Sequence, residues 1–151
     1  IAHGSDVKYH HFELGYNFRM TSIAAAIGLE QLKKLEGFNA TRIKNATFLS
    51  ANIPTRFSPP KIIEGHVFHL YCIRVPASRR AEIQEYLSEK GISTSVAYPL
   101  PIHKQEAYSQ YHHLNFPISE KISDEILALP IHPSLTQDNL QKIVEVLKNL
   151  E

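Results

Sequence analysis

The first long apolar run of the chain follows a polar, turn-rich stretch. Residues 1–20 are rich in histidine and aromatic side chains without a sustained period, which predicts a loop. Residues 23–29 are apolar on almost every side, and Thr21 or Ser22 can cap a helix there. We therefore expect a helix over residues 21–36 that is buried on more than one side. Gly37 and Asn39 permit a break before the helical pattern continues over residues 40–51.

The pattern farther along the chain indicates a small sheet packed with helices. Residues 67–75 are apolar on both parities and rich in β-branched and aromatic side chains, which is typical of a strand covered on both faces. Residues 92–96 predict a second strand. Amphipathic helices are predicted over residues 78–90, over 117–127 and after Thr136, which caps the last one. The predicted fold class is α+β, with a loop (1–20), long linking helices (21–53) and one compact α/β domain (54–151).

Composition narrows the class of protein. The net charge of +1 over 151 residues provides no basic surface for nucleic acid, and no apolar run approaches membrane-spanning length. The single cysteine, Cys72, cannot form an internal disulfide and fits a reducing compartment, so we expect a cytoplasmic protein. Adjacent histidines at 10 and 11 point different ways, with no cysteine or carboxylate at ligand spacing, so we predict no metal site.

Two stretches carry candidate chemistry. Asn17 and Arg19 stand just before the predicted helix, where free N–H groups and the positive end of the helix dipole favour an anion. An exposed or interfacial ion pair is an equally good interpretation of Arg19. Residues 97–116 form a long segment rich in proline and aromatic residues, and such segments are usually functional or disordered.

Three motifs occur in order along the chain: Gly15-Tyr16-Asn17-Phe18-Arg19-Met20-Thr21, Tyr98-Pro99-Leu100-Pro101-Ile102-His103-Lys104-Gln105 and Leu129-Pro130-Ile131-His132-Pro133. Their residues and order resemble those of the DegT/DnrJ/EryC1/StrS family, which comprises pyridoxal-phosphate-dependent sugar aminotransferases of fold type I. The resemblance covers essentially the whole chain but only the C-terminal part of such an enzyme. We therefore expect a fragment of a longer enzyme, with the fold of its C-terminal domain.

The resemblance also implies roles for individual residues. Asn17 would reach the phosphate of pyridoxal phosphate in the neighbouring subunit's site, which implies a homo-oligomer. Arg19 would bind a carboxylate or phosphate of the amino donor or of the nucleotide-sugar substrate. Tyr98 and His103 would belong to a loop that closes over the substrate, and His132 would be mainly structural.

The resemblance leaves the catalytic centre outside this chain. The family's Schiff-base lysine and the acid at the pyridine nitrogen lie upstream, and no segment here matches theirs, so we expect no catalytic residue in this chain and no activity from it alone. The family usually has histidine where this chain has Ala97 and proline where it has Glu106, which leaves the substrate sugar open.

Two functions stay open at this point. The first is the C-terminal portion of an aminotransferase that moves an amino group from an amino acid such as glutamate to a nucleotide-linked keto sugar. Such an enzyme would serve polysaccharide or deoxyamino-sugar synthesis. The second is a non-catalytic remnant that acts as an association module.

Overall fold

The computed structural model describes residues 3–150. The elements over those residues are α1 (Ser22–Asn52), β1 (Tyr71–Arg74), α2 (Arg80–Glu89), α3 (Pro117–Glu125), β2 (Ile126–Leu129) and α4 (Gln137–Lys148), with short 3₁₀ turns at Ala77–Arg79, Ile102–Lys104 and Glu106–Tyr111. The chain forms two compact units. The first ends at Gly37 and the second begins at Phe38, so the boundary falls inside α1.

The sheet of the second unit pairs β1 with β2 in antiparallel register. Tyr71 lies opposite Leu129, and Arg74 lies opposite Ile126. β1 is shorter than the predicted strand over residues 67–75, since Phe68 has φ +49°, a left-handed conformation that an extended strand cannot contain. The mixed helical and sheet architecture confirms the predicted α+β class.

The partner of β1 differs from the prediction. Residues 92–96 were expected to form the second strand, but only Ser95 pairs, through a bridge to Ala128. The strand is instead Ile126–Leu129, part of which had the periodicity of the preceding helix. All four residues of β2 are apolar and three of them are buried. The periodicity of so short an apolar run cannot distinguish a strand from a helix, which is why the sequence missed this strand.

The core of the second unit lies between the sheet, the second half of α1, and helices α2 and α4. Ala46 and Leu49 of α1 are fully buried. They join apolar residues of the other elements, among them Tyr71, Ile73, Ile83, Leu87, Leu127, Leu140, Ile143, Val144 and Leu147. Burial of one large apolar side chain stabilises a fold by about 1.5–3 kcal/mol, so this cluster holds the unit together.

Helix α4 is held at both ends. Thr136 Oγ1 accepts a hydrogen bond from the N–H of Asn139, and the Thr136 N–H donates to Asn139 Oδ1 at 3.0 Å. This capping box confirms the cap predicted at Thr136 and stabilises the helix by about 1 kcal/mol. At the other end, the Arg56 guanidinium donates to the carbonyl of Leu147 at 2.7 Å, where the helix dipole favours a cation.

Helix α1 differs from the prediction in two ways. It is continuous from Ser22 to Asn52, so the break allowed at Gly37 and Asn39 is absent. One glycine inside a helix costs about 1 kcal/mol, which is small enough for the helix to continue through Gly37. The expectation that residues 23–29 are buried is wrong for this chain, since Ile23 is 77% exposed and Ile27 and Leu29 are exposed as well.

Candidate functional site

The loop before α1 crosses itself at two glycines. A Cβ atom on Gly15 would lie 2.2 Å from the backbone nitrogen of Gly4, and one on Gly4 would lie 2.0 Å from the carbonyl oxygen of Glu13. The N–H of Phe12 donates to the Gly4 carbonyl at 2.9 Å and closes the crossing. Gly4 also has φ +71°, which a residue with a Cβ adopts rarely. The two glycines therefore determine the course of the loop that leads to Asn17 and Arg19.

Asn17 and Arg19 lie on the surface of the first unit, just before α1. Both side chains are exposed, and neither makes a hydrogen bond or ion pair within residues 3–150. Thr21 is the residue that caps α1, because its Oγ1 accepts a hydrogen bond of 3.2 Å from the N–H of Ala24. The first turn of α1 contains no acidic side chain. This end of the helix thus keeps its positive character, and two hydrogen-bond donors beside it are available to an anion.

The second unit contains a cavity of about 1000 Å³. Its wall is mostly aromatic and aliphatic, with a few polar groups, as is common in small-molecule sites. The principal lining residues are Tyr98, Leu100, Ile102, His103, Gln105, Tyr108, Tyr111, Phe116, Ser119 and Ile122. The segment over residues 97–116, predicted to be functional or disordered, therefore forms much of the wall of this cavity.

Tyr98 has an unusual backbone in this wall. Its φ is +55°, and its side chain is 82% exposed. Left-handed backbone is uncommon outside glycine, and it concentrates where the surroundings force it, often at functional sites. The exposed phenol and the left-handed backbone make Tyr98 a candidate residue of this site.

His103 is buried against the start of α3. Its Nε2 donates a hydrogen bond of 2.8 Å to Glu120 Oε1, and its ring packs edge-on against Phe116 with 4.9 Å between centroids. The hydrogen bond from His103 lowers the pKa of the Glu120 carboxyl, and the Phe116 N–H and the charge of Lys104 act in the same direction. Glu120 therefore remains an anion at neutral pH. It accepts the hydrogen bonds from His103 and Phe116 and forms an ion pair with Lys104.

The sequence did not single out Glu120. The available signal is a carboxylate in the first turn of a helix that begins with Pro117, a pattern that favours the helix terminus. Nothing in the pattern pairs this carboxylate with a histidine 17 residues earlier in the chain.

The four predicted site residues lie in two groups. Asn17 and Arg19 belong to the first unit, whereas Tyr98 and His103 line one cavity of the second.

Over residues 3–150, no three histidine, cysteine, aspartate or glutamate side chains gather where they could hold a metal ion. No helix in the same range is long and apolar enough to cross a membrane. Burial raises the pKa of the Cys72 thiol, which disfavours the reactive thiolate.

Comparison with known proteins gives one consistent family. Residues 1–148 match the DegT/DnrJ/EryC1/StrS aminotransferase family. The chain is 38% identical to a pleiotropic regulatory protein of Geobacillus stearothermophilus, over 95% of this chain and 40% of the relative. It is 36% identical to the dTDP-3-amino-3,6-dideoxy-alpha-D-galactopyranose transaminase of Aneurinibacillus thermoaerophilus, again over 95% and 40%.

The solved structures agree with the sequence comparison. The NtdA structure from Bacillus subtilis, with the cofactor PMP bound, superimposes with a TM-score of 0.84 at 31% identity, over 95% of this chain and 35% of that one. The chain therefore spans about 40% of the length of the curated relatives that it matches. Its fold is that of a part of these aminotransferases.

Proposed function

Because this chain belongs to the DegT/DnrJ/EryC1/StrS aminotransferase family, we propose that it is the C-terminal portion of a pyridoxal-phosphate-dependent enzyme that aminates a nucleotide-linked keto sugar. The relative that is named as a dTDP-amino-sugar transaminase supports the substrate class. The observation that carries the proposal is the pair of exposed, unpartnered donors, Asn17 and Arg19, on a loop that two glycines pin.

The cofactor's phosphate fits this donor set. An amide N–H, a guanidinium and the uncompensated start of α1 suit a dianion, because charge-assisted hydrogen bonds are about twice as strong as neutral ones. Asn17 would bind the phosphate, in the site of a neighbouring subunit, and Arg19 would bind a carboxylate or phosphate of the donor or substrate. Pyridoxal phosphate supplies the electron sink that transamination needs. The lysine that attaches it covalently would lie outside this chain.

The cavity of the second unit would supply the substrate wall. Tyr98 presents its phenol to solvent, and the segment around His103 forms apolar and aromatic surface beside it. Such a wall excludes water and can pack against a sugar or a base, while the few polar groups orient the ligand. Ala97 leaves a small methyl group at the position before Tyr98.

Cofactor retention tests the proposal in the intact enzyme. Asn17→Ala should weaken pyridoxal phosphate affinity about 10- to 100-fold, the equivalent of roughly 1.5–3 kcal/mol for one charge-assisted hydrogen bond. Asn115→Ala is a matched control, since Asn115 is an exposed loop residue of the second unit. Unchanged affinity in Asn17→Ala would refute the role assigned to Asn17.

Inorganic phosphate tests the same loop in this chain alone. Titration should shift the NMR signals of Asn17 and Arg19 in the wild-type chain and should not do so in Arg19→Ala. Arg19→Lys should bind phosphate more weakly than the wild type, because lysine keeps the charge but loses the planar fork of donors. Equal binding by all three chains would mean that Arg19 is only a surface cation.

One observation favours the second function, association without catalysis. The first unit exposes a run of apolar side chains, including Phe18, Met20, Ile23, Ile27 and Leu32. Contiguous apolar patches of this kind mark interaction sites, and symmetric pairing is the commonest way to cover them. The coding sequence upstream of Ile1 separates the two functions, because a lysine-bearing segment that matches the family supports the enzyme.

A further inference from the structure

The aromatic wall of the cavity meets helix α3 at one carboxylate oxygen. His103 Nε2 donates to Glu120 Oε1 at 2.8 Å, and Lys104 Nζ lies 3.6 Å from the same atom. The N–H of Phe116, at the end of the wall, also donates to it, at 3.2 Å. Glu120 Oε1 thus takes one side-chain hydrogen bond, one backbone hydrogen bond and one ion pair from the wall.

The wall is braced internally from the same short turn. Lys104 Nζ donates to the carbonyls of His112 and Leu114, at 3.4 Å each, and Gln105 Nε2 donates to the carbonyl of Leu100 at 3.2 Å. The anchor at His103 and these braces start from three successive residues. A displacement of the turn would therefore move both ends of the wall.

Tyr98 depends on that support. A residue with φ near +55° persists only where its surroundings over-determine its backbone. Its own side chain, which is 82% exposed, supplies little of that constraint. The backbone on both sides supplies the constraint: the bridge from Ser95 to Ala128 fixes the chain three residues before Tyr98, and the segment after Tyr98 is tied to α3 by His103.

We propose that His103 is a positioning residue: through Glu120 it anchors the cavity wall to α3 and thereby holds Tyr98 in its left-handed conformation. The contact of His103 with Glu120, here called the anchor, is argued from geometry. Only the effect of the anchor on substrate binding rests on the proposed function. His103 is 7% exposed, its Nε2 is engaged by Glu120, and Phe116 packs against its ring. A side chain so enclosed acts on a ligand through the wall that it holds.

Two substitutions of His103 isolate the hydrogen bond. His103→Leu removes the donor and keeps an apolar body of similar size, whereas His103→Gln places an amide N–H near the position of Nε2. Amide hydrogen exchange in this chain should become about tenfold or more faster over residues 98–114 in His103→Leu. The exchange of α4 should stay unchanged. His103→Gln should restore most of the protection, and the NMR signal of the Tyr98 amide should shift in His103→Leu and return in His103→Gln.

Controls keep the test decisive. His113→Leu makes the same change at an exposed histidine of the same segment and should leave exchange unchanged. If His103→Leu unfolds the chain, α4 will lose protection too, and Glu120→Gln then decides the matter, because it keeps the fold's shape and weakens only the acceptor. Unchanged exchange over residues 98–114 in Glu120→Gln and His103→Leu, or no recovery in His103→Gln, would overturn the anchor. The experiment uses no substrate, so failure of the proposed function leaves its result standing. Failure of the anchor leaves the cofactor test at Asn17 unaffected.

Discussion

Helix α1 runs through both units, and its two halves meet different surroundings. Leu49, in the second unit, is fully buried among core residues, whereas Leu32, in the first unit, is 63% exposed. Both leucines favour the helix to the same extent. Helix propensity therefore does not distinguish the two halves, whereas burial depends on which apolar partners the same unit provides. The first unit, within residues 3–37, provides none for its half of the helix.

The largest expected effect comes from making one substitution in both halves. Leu49→Ala should lower the free energy of unfolding by about 2–5 kcal/mol, because it leaves a cavity in the core. Leu32→Ala should change it by less than about 0.5 kcal/mol, since surface substitutions rarely do more. Urea denaturation followed by circular dichroism measures both. Equal losses would mean that the first half of α1 is also packed in solution.

The exposed first half of α1 should cause the chain to self-associate. We expect the wild-type chain to self-associate at high micromolar concentration through its apolar side chains, and Ile27→Asp to weaken that association about tenfold or more while the chain stays folded. Sedimentation equilibrium measures the masses. Ile83→Asp is the contrasting control, because Ile83 is buried in the core and a carboxylate there should unfold the second unit. A monomeric wild-type chain would contradict the prediction.

Two glycines of the first unit should respond differently to alanine. Gly28→Ala should stabilise the chain by about 1 kcal/mol, because Gly28 lies inside α1 with open space around its Cβ position. Gly15→Ala should displace the loop, since its Cβ would collide with the backbone of Gly4. The loop contributes no residue to the core cluster, whereas Gly28 lies in the continuous helix α1 that does, so the unfolding midpoint of Gly15→Ala should barely move. Amide NMR signals of residues 3–20 report the displacement, and thermal unfolding reports the stability.

The smallest effect should be a dependence of stability on pH. Glu120 has a pKa below its ordinary value in the folded chain, chiefly through the hydrogen bond from His103. Its contribution is therefore present above the unfolded pKa of about 4.3 and is lost as the pH falls through the lower folded pKa. Denaturation midpoints between pH 6 and 3 should fall less steeply in Glu120→Gln than in the wild type.

The matched control for that measurement is Glu106→Gln. Glu106 carries a carboxylate on the wall segment that precedes α3 but forms no ion pair among the described residues. The denaturation midpoint of Glu106→Gln should fall with pH as steeply as that of the wild type. An identical slope in Glu120→Gln would show that the contact with His103 does not persist in solution.

The sequence predicted those elements whose signals are local. The cap at Thr136 and the apolar stripe of α4, from Leu140 to Leu147, agree with the structure because each depends on neighbours within the helix. Gly91, the residue after the helix predicted over residues 78–90, has φ +74°, the left-handed conformation in which glycine commonly ends a helix.

Features set by distant residues were missed. Nothing near Ser95 shows that only one bridge forms there, and nothing near Ile126 shows that β1 will pair with it. The exposure of Ile23 likewise depends on the rest of the unit rather than on the apolar run itself. In the candidate site, the motifs identified Asn17, Arg19, Tyr98 and His103 as candidates, but they contained no sign that Glu120 would be the partner of His103.

The crossing of the first loop has a consequence for how this chain can vary. The contact between Gly4 and Gly15 involves main-chain atoms, as does the hydrogen bond from Phe12 to Gly4. Side chains at most positions between the two glycines can therefore change without altering the point where the loop crosses itself. A side chain at either glycine, in contrast, would collide with main-chain atoms and displace the loop that leads to Asn17. The side chains of residues 5–10 can thus vary while the main-chain contacts of Gly4, Phe12 and Gly15 keep the course of the loop.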